Sequence, residues 1–188
     1  MRKLILASAS PRRRDLLASA GFSFEVRTSD IAENEDPNGN PQEMVLENAL
    51  AKARAVAEKN TEALVLGADT TVALGGRVLN KPANLSEARE MLLALGGKPH
   101  TVFTGVALVC ADADFCETRI VACRVTFKPL DNEVISRYFK ICNPLDKAGA
   151  YGIQEGGELI IESYDEPLSN IIGLPVELLS GRLQELLV

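Results

Sequence analysis

The chain has 188 residues, of which 46% are hydrophobic, 24% charged and 5% aromatic, and its 20 Lys and Arg against 26 Asp and Glu give a formal net charge of -6. This length fits one domain of ordinary size, and the apolar fraction is too high for a disordered chain. The acidic balance disfavours long nucleic acids, which require a basic face, but it leaves room for a small anionic ligand held by a local cluster.

Hydrophobic periodicity and capping residues define the predicted elements of the first half. Ser10 followed by Pro11 is typical of a helix N-cap with proline at the first helical position. In chain order, we expect a buried strand over 3–7, a helix over 10–20 ended by Gly21, a half-buried strand over 22–26, a loop over 31–42 and a helix over 44–60. The first apolar segment is too short for a signal peptide, and no apolar run approaches the ~20 residues that span a bilayer. A soluble cytoplasmic protein is therefore expected.

The second half mixes strands and helices. An apolar strand over 63–68 ends at Asp69, and residues 70–79 resemble a hairpin with a two-glycine turn. The remaining predicted elements are helices over 84–95, 131–141 and 174–187, paired strands over 101–109 and 118–127, and a short strand over 159–161 after the glycine-rich segment 149–157. Hairpin-like pairs argue against a purely parallel sheet. We predict one α/β domain over 1–188, with a mixed sheet and flanking helices.

Histidine and cysteine usage limits the chemistry that this chain can perform. His100 is the only histidine, which excludes a zinc site with several histidines and disfavours a histidine-based triad. The four cysteines form no Cys-x-x-Cys pair, so we expect reduced thiols that fill the core. Catalysis is expected to come from carboxylates, cations, hydroxyls and a hard metal ion.

The first candidate site is the run Ser8-Ala9-Ser10-Pro11-Arg12-Arg13-Arg14 between the first strand and the first helix. A helix start alone explains Ser10 and Pro11. It does not explain three arginines in the first turn, where the helix dipole disfavours each cation by about 0.3–1 kcal/mol. Amides, hydroxyls and guanidinium groups together form a good phosphate receptor. The run is neither a Walker loop nor a Gly-x-Gly-x-x-Gly turn, and we interpret it as a phosphate site.

Three further side chains are candidates with an ordinary structural alternative. Asp69 follows a buried strand, a position that commonly lines an α/β crevice, but it would serve equally well to stabilise the next turn. Lys52 lies beside the buried face of its predicted helix, and Lys81 precedes Pro82. Each lysine taken singly is more typical of a solvated side chain.

Two loop segments carry the remaining polar candidates. In the run 146–154, small residues would let the backbone approach a ligand closely, and the Gln154 amide could recognise a base edge. A tight, well-packed turn is the favoured interpretation of that run if it stands alone. The acidic residues of the loop 31–42, Glu33 among them, form either a solvated connection or a site, and composition alone favours the solvated connection.

The ordered set of motifs resembles the Maf family of nucleoside triphosphate pyrophosphatases along nearly the whole chain. Any one motif is weak, but the set in this order is specific. The matching pieces are Leu6-Ala7-Ser8-Ala9-Ser10-Pro11-Arg12-Arg13, Glu33, Lys52-Ala53, Gly67-Ala68-Asp69-Thr70, Lys81-Pro82, His100 through Thr104-Gly105-Val106, and Gly173-Leu174-Pro175.

The resemblance implies a fold, a reaction and a set of roles. The fold is a mixed α/β architecture with two lobes around a deep cleft, related to the inosine triphosphatase fold. The reaction is hydrolysis between the α and β phosphates, assisted by Mg²⁺ or Mn²⁺. Asp69 would be the catalytic carboxylate, and Asp69 with Glu33 would hold the metal. The residues implied to hold the triphosphate are Ser8, Arg12, Arg13, Lys52 and Lys81.

The resemblance also indicates a substrate class and its alternatives. The run 146–154 is similar to the branch that acts on dTTP and UTP, which implies that Arg12, Thr70 and Gln154 help to set base preference. The branch acting on 7-methyl-GTP lacks this run and ranks second. Glu155-Gly156-Gly157 departs from the family pattern beside the presumed base pocket, so reaction type is better defined than substrate order. A nucleotide-binding regulator of cell division and a phosphomonoesterase are the rival functions, and a homodimer is suggested by the resemblance alone.

Overall fold

The computed structural model describes residues 2–188, so Met1, the first residue of the basic tip, lies outside the described residues. The strands are β1 (Leu4–Ala7), β2 (Glu25–Val26), β3 (Leu64–Leu74), β4 (Arg77–Leu79), β5 (Pro99–Cys110), β6 (Phe115–Phe127) and β7 (Ile161–Tyr164). The helices are α1 (Pro11–Ser19), α2 (Pro41–Ala57), α3 (Leu85–Leu95), α4 (Asn132–Tyr138), α5 (Gly157–Ile160), α6 (Leu168–Ile172) and α7 (Val176–Leu187), with 3₁₀ turns at Pro144–Asp146 and Ala148–Ala150.

Within residues 2–188 the seven strands form one mixed sheet. Its order is β2-β1-β3-β5-β6-β7, and β4 pairs with the far end of β3. β1 runs parallel to β2 and β3, whereas β3, β5, β6 and β7 form antiparallel neighbours. The predicted mixed α/β class with flanking helices is confirmed.

The sheet opens on one side in the middle of β3. β1 pairs with β3 only as far as Ala7 opposite Gly67, and β4 joins β3 only from Val72 onward. Residues 68–71 of β3 therefore have a paired neighbour only on the β5 side. The side chains of this stretch border a gap between two halves of the molecule.

The expectation that the strand ends at Asp69 is wrong, whereas the predicted hairpin with a two-glycine turn is confirmed. β3 pairs with β5 without interruption from Val65 to Ala73, so one long strand runs through Asp69 and turns at Gly75-Gly76 into β4. The long partner strand holds this backbone extended even where β1 has ended. Asp69 consequently lies within a strand and stabilises no turn.

Two glycines allow α2 to lie directly on the sheet. A Cβ atom at Gly67 in β3 would fall 2.2 Å from the carbonyl oxygen of Ala49, and one at Gly105 in β5 would fall 2.3 Å from that of Val45. Since real side-chain carbons do not approach so closely, only glycine permits this helix position. The close approach brings the polar face of α2 to the open stretch of β3.

The buried apolar side chains form clusters on both sides of that stretch. Two clusters cover the faces of β1 and the first half of β3, one with α1 and α7 and the other with α2. A third cluster surrounds the far end of β3 and includes residues of α3, α4 and the segment 150–161. This division gives the two lobes that the resemblance implied, with the gap between them.

Two short strands differ from their predicted bounds. The predicted strand over 159–161 is wrong, because Gly156 adopts a left-handed backbone (φ 72°) and starts the short helix α5, after which β7 begins at Ile161. The strand predicted over 22–26 shrinks to the exposed pair Glu25–Val26. Of the four cysteines, three are buried as expected and Cys116 is exposed. Among the described residues, no helix is both long and apolar enough to cross a membrane.

Candidate active site

A cavity of about 400 Å³ occupies the gap between the two lobes. The β1–α1 loop, the polar face of α2, the open stretch of β3 and the segment 146–155 contribute to its wall. Every site residue predicted from the sequence lines this one cavity: Ser8, Arg12, Arg13, Glu33, Lys52, Asp69, Thr70, Lys81 and Gln154.

The centre of the cavity is an ammonium group held between two carboxylates. Lys52 Nζ lies 2.7 Å from Asp69 Oδ1 and 2.7 Å from Glu33 Oε2. Lys52 and Asp69 are each only 9% exposed, so the two charges are largely removed from water and depend on each other. Lys52 is therefore no ordinary solvated lysine, and the acidic loop contributes Glu33 to the site.

Asn48 completes the environment of Asp69 from the helical turn preceding Lys52. Its Nδ2 donates to Asp69 Oδ2 at 3.0 Å and to the backbone carbonyl of Asn34 at 3.0 Å, and its Oδ1 accepts from the Asn34 amide at 2.8 Å. Asn48 is 4% exposed. Both oxygens of Asp69 are thus fixed from α2, one by Asn48 and the other by Lys52.

The β1–α1 loop has the local structure that its sequence predicts. Ser10 caps α1 by accepting a hydrogen bond from the Arg13 amide, and Pro11 starts the helix. The Ser8 hydroxyl accepts from the Ser10 amide at 3.3 Å and from Arg13 Nη1 at 3.1 Å. The start of α1 and the hydroxyl of Ser8 therefore meet at the cavity wall.

Arg13 is buried and joins three parts of the chain. In addition to Ser8, its Nε donates to the Gly173 carbonyl at 2.8 Å and its Nη2 donates to Thr70 Oγ1 at 3.0 Å. Burial lowers the pKa of Arg13, while the charges of Asp69 and Glu33 oppose that change. Arg13 thus holds three segments of the cavity wall together and also adds a positive charge to the cavity.

Arg12 extends from the same turn towards the segment 146–155. Its Nη1 lies 3.7 Å from Asp146 Oδ2. Asp146 also accepts from Lys147 Nζ at 2.8 Å. Burial opposes ionisation of Asp146, but the hydrogen bond and charge of Lys147 outweigh it and lower the pKa of this carboxyl group. Arg12 and Asp146 connect the β1–α1 loop to the wall that carries Gln154.

Lys147 is a buried residue whose role the sequence left open. Its ammonium contacts Asp146 Oδ1, the Asn143 carbonyl at 2.9 Å and Glu155 Oε1 at 3.0 Å. A Cβ atom at Gly152 would lie 2.7 Å from its Cε, so the lysine stem crosses the glycine backbone directly. The run therefore forms a tight turn, as its small residues predicted, and Lys147 stabilises it. Two other predicted residues, Lys81 and Gln154, line the cavity with exposed side chains.

Asn48 and Thr104 also belong to this network, although neither was predicted as a site residue from the sequence. Thr104 is fully buried and its hydroxyl links Thr70 Oγ1 at 3.0 Å to the Asn170 carbonyl at 3.0 Å. The spacing of Asn48, four residues before Lys52, was the available signal, because residues at this spacing share a helix face. For Thr104, the register opposite Thr70 on β5 is visible only in the sheet.

The carboxylates of Glu33 and Asp69 fit a divalent cation such as Mg²⁺ whose remaining ligands are water and substrate phosphates. In the part of the chain that the structure describes, no group of three or more His, Cys, Asp or Glu side chains is placed to hold a metal ion. Glu33 and Asp69 nevertheless converge on one positive centre, the Lys52 ammonium. Mg²⁺ is usually held by one or two carboxylates together with water and substrate phosphates. These two residues match that arrangement.

The family to which this fold and site belong is shown by comparison with known proteins. The family model described as "Maf-like protein" matches residues 3–186. The chain belongs to the Maf family. A relative from Bacillus anthracis (strain CDC 684 / NRRL 3495), named dTTP/UTP pyrophosphatase, is 44% identical over 185 residues, which are 98% of this chain and 96% of the relative. Another of that name from Bacillus cereus (strain ATCC 10987 / NRS 248) is 43% identical and covered to 90%.

The Maf-family chain also has a structural neighbour with little sequence identity. A HAM1 protein from Coxiella burnetii superposes with a TM-score of 0.58 at 16% identity, covering 98% of this chain and 100% of the neighbour. At this identity the likeness concerns the fold alone. It agrees with the mixed α/β architecture expected from the sequence.

Proposed function

We propose that this chain hydrolyses dTTP and UTP between the α and β phosphates, releasing the nucleoside monophosphate and pyrophosphate. The observation that carries the proposal is the Lys52–Asp69–Glu33 group beside the Ser8–Arg13 loop, in one cavity of a chain 44% identical to relatives named for this reaction. Residues 1–188 act as one domain in this proposal. The proposed location of the protein is the cytoplasm. Its proposed partner is a small-molecule nucleotide, not a nucleic acid polymer or a membrane.

The triphosphate is held by the cationic wall of the cavity. The Ser8 hydroxyl already accepts two hydrogen bonds, so its own hydrogen remains available for a phosphate oxygen. Arg12 and Lys81 also line the cavity and add positive charge to it, and the buried Arg13 adds its charge from the wall. Cations fixed around the departing pyrophosphate stabilise the charge that develops there, which is the main requirement of phosphoryl-transfer catalysis.

Asp69 is the residue that orients the attacking water. Its carboxylate is buried and both of its oxygens are held from α2, so it presents an acceptor in one orientation. A water oxygen bonds to the α-phosphorus, the bond from that phosphorus to the bridging oxygen breaks, and pyrophosphate leaves with the electron pair. The water proton passes to a carboxylate, for which Asp69 is the first candidate and Glu33 the second.

We also propose that a divalent cation enters with the nucleotide and is held by Glu33 and Asp69. When bound, Mg²⁺ or Mn²⁺ would neutralise phosphate charge.

Base preference is assigned to Arg12, Thr70 and Gln154, of which Gln154 offers an amide that both donates and accepts. A homodimer is the proposed assembly, and sedimentation of the purified chain tests it.

A nucleotide panel with separate detection of pyrophosphate and orthophosphate tests the proposed function. The purified chain is incubated with Mg²⁺ and dTTP, UTP, dCTP, GTP or 7-methyl-GTP. The proposal predicts that dTTP and UTP are converted fastest and that one pyrophosphate appears for each monophosphate. Orthophosphate as the first product would indicate a phosphomonoesterase, faster turnover of 7-methyl-GTP would indicate the other branch, and tight binding without any product would indicate a nucleotide-binding regulator.

A further inference from the structure

We infer that Asn48 is a positioning residue that holds the Asp69 carboxylate in its working orientation and ties it to the loop carrying Glu33. The inference rests on the proposed pyrophosphatase reaction and adds to it a residue that touches no reacting atom. Its basis is the set of three hydrogen bonds between Asn48, Asp69 and the backbone of Asn34.

The hydrogen-bond network fixes the orientation of the Asn48 amide. Its nitrogen faces two acceptors, the Asp69 carboxylate and the Asn34 carbonyl, while its oxygen faces the Asn34 backbone N–H. Turning the amide over would place its oxygen against both acceptors and its NH₂ group against a donor. Because both amide hydrogens and the oxygen are engaged, the side chain is fully committed to these partners.

The position of Asn48 explains why its hydrogen bond sets the orientation of the Asp69 carboxylate. Lys52 can swing on a flexible four-carbon stem, and the substrate phosphates compete for its ammonium. The Asn48 side chain is short, is 4% exposed and projects from the middle of α2. Of the two side chains that contact Asp69 from α2, Asn48 is the one whose interaction stays in place while Lys52 responds to the substrate.

The same amide also fixes the distance between the two carboxylate-bearing segments. The backbone of Asn34 follows Glu33 directly, and Asn48 bonds both its N–H and its carbonyl. Asp69 lies on β3 and Glu33 in the loop before α2, and no β-sheet pairing connects these two segments. A neutral amide can bridge them without adding charge to a site that already contains two carboxylates and an ammonium.

The test compares Asn48→Ala and the similarly shaped Asn48→Asp with the control Asn60→Ala. Asn60 also bonds a backbone carbonyl, that of Val56 at 2.7 Å, but it lies beyond the other end of α2. We expect kcat for dTTP to fall about 10- to 100-fold in both Asn48 variants, with KM changed less than threefold, while Asn60→Ala keeps the wild-type kcat. Thermal unfolding of each variant establishes that the protein measured is folded.

Combining each Asn48 variant with Asp69→Asn separates positioning from a general structural role. If Asn48 acts through Asp69, its substitution costs less than twofold in the Asp69→Asn background. A loss as large there as in the wild type, or a kcat within twofold of wild type in both single variants, overturns the inference. So does a loss that disappears only in a Glu33→Gln background, which would assign the effect to the loop. Absence of turnover by the wild-type chain would overturn the proposed function instead.

Discussion

Lys52 Nζ lies 2.7 Å from Asp69 Oδ1 and at the same distance from Glu33 Oε2, so that two carboxylates from different segments share a single ammonium. The close packing of α2 on Gly67 and Gly105 makes this contact possible. The arrangement means that the two acidic groups are already occupied by a cation belonging to the chain. Any divalent ion that uses their oxygens must compete with Lys52.

The competition between Lys52 and a metal ion is directly measurable. We predict that Mn²⁺ binds the nucleotide-free wild-type chain weakly and binds Lys52→Met about tenfold more tightly, because removing the ammonium leaves two carboxylates without a counter-ion. Calorimetric titration with Mn²⁺ measures both affinities. The exposed substitution Lys59→Met should leave Mn²⁺ affinity unchanged. Equal or weaker binding by Lys52→Met would contradict the competition.

Substitution of Asp69, the proposed catalytic carboxylate, should remove turnover and spare the fold. Asp69→Asn keeps the shape of the side chain and loses its basicity, so we expect kcat for dTTP to fall by a factor on the order of 10²–10⁴. Steady-state rates and thermal unfolding of the same preparations provide the measurement. The exposed Asp112→Asn is the control and should behave as wild type. Near-wild-type turnover by Asp69→Asn would remove Asp69 from the mechanism.

Gly105, one of the two glycines under α2, should be intolerant of any side chain. In Gly105→Ala the new Cβ meets the Val45 carbonyl at 2.3 Å, and forcing the helix away is expected to cost about 1–3 kcal/mol of unfolding free energy. Activity should fall as well, because Asn48 and Lys52 move with the helix. Urea denaturation and dTTP turnover test both effects.

Gly181→Ala is the matched control for that experiment. Gly181 lies inside α7 and a Cβ there meets nothing within 4 Å, so alanine should stabilise the helix by about 0.5–1 kcal/mol without affecting turnover. If Gly105→Ala were as stable and active as this variant, the close approach of α2 would not be what positions the site.

His100 should make the folded state sensitive to mild acid. Its Nε2 lies 2.8 Å from the Tyr151 hydroxyl, and burial lowers the pKa of His100 to about 4. Between about pH 6.5 and 4 the unfolded chain binds a proton that the folded chain does not, so stability falls as the pH drops through this window, by up to about 3 kcal/mol. His100→Gln should lose that component of the pH dependence in urea denaturation. Parallel pH profiles for the two proteins would contradict the assignment.

Local sequence signals predicted the elements well where the signal was itself local. The Ser10 cap with Pro11, the helix after Asn84 and the antiparallel pairing of the two long strands are all confirmed. The break predicted at Asp69 was wrong because strand continuity depends on β5, in which Gly105, the partner of Asp69, lies 36 positions further along the chain. Propensity within one segment contains no information about such a partner.

The residues of the candidate site were accessible from the sequence, but their arrangement was not. The motifs identified Asp69, Lys52 and Glu33, and the structure brings all three to one point. Taken singly, Lys52 was predicted to be a solvated lysine, because its burial depends on how closely α2 packs on Gly67 of β3 and Gly105 of β5. Its spacing placed Asn48 on the same helix face as Lys52, but an asparagine indicates no particular role until its two partners, Asp69 and the Asn34 backbone, are in place.

The most direct test of the proposed reaction is hydrolysis of dTTP in H₂¹⁸O with mass analysis of both products. Water attack at the α-phosphorus, oriented by Asp69, predicts that one ¹⁸O atom enters dTMP and that the pyrophosphate contains none. Label in the pyrophosphate, or release of orthophosphate with dTDP, would place the attack on another phosphorus and contradict the account.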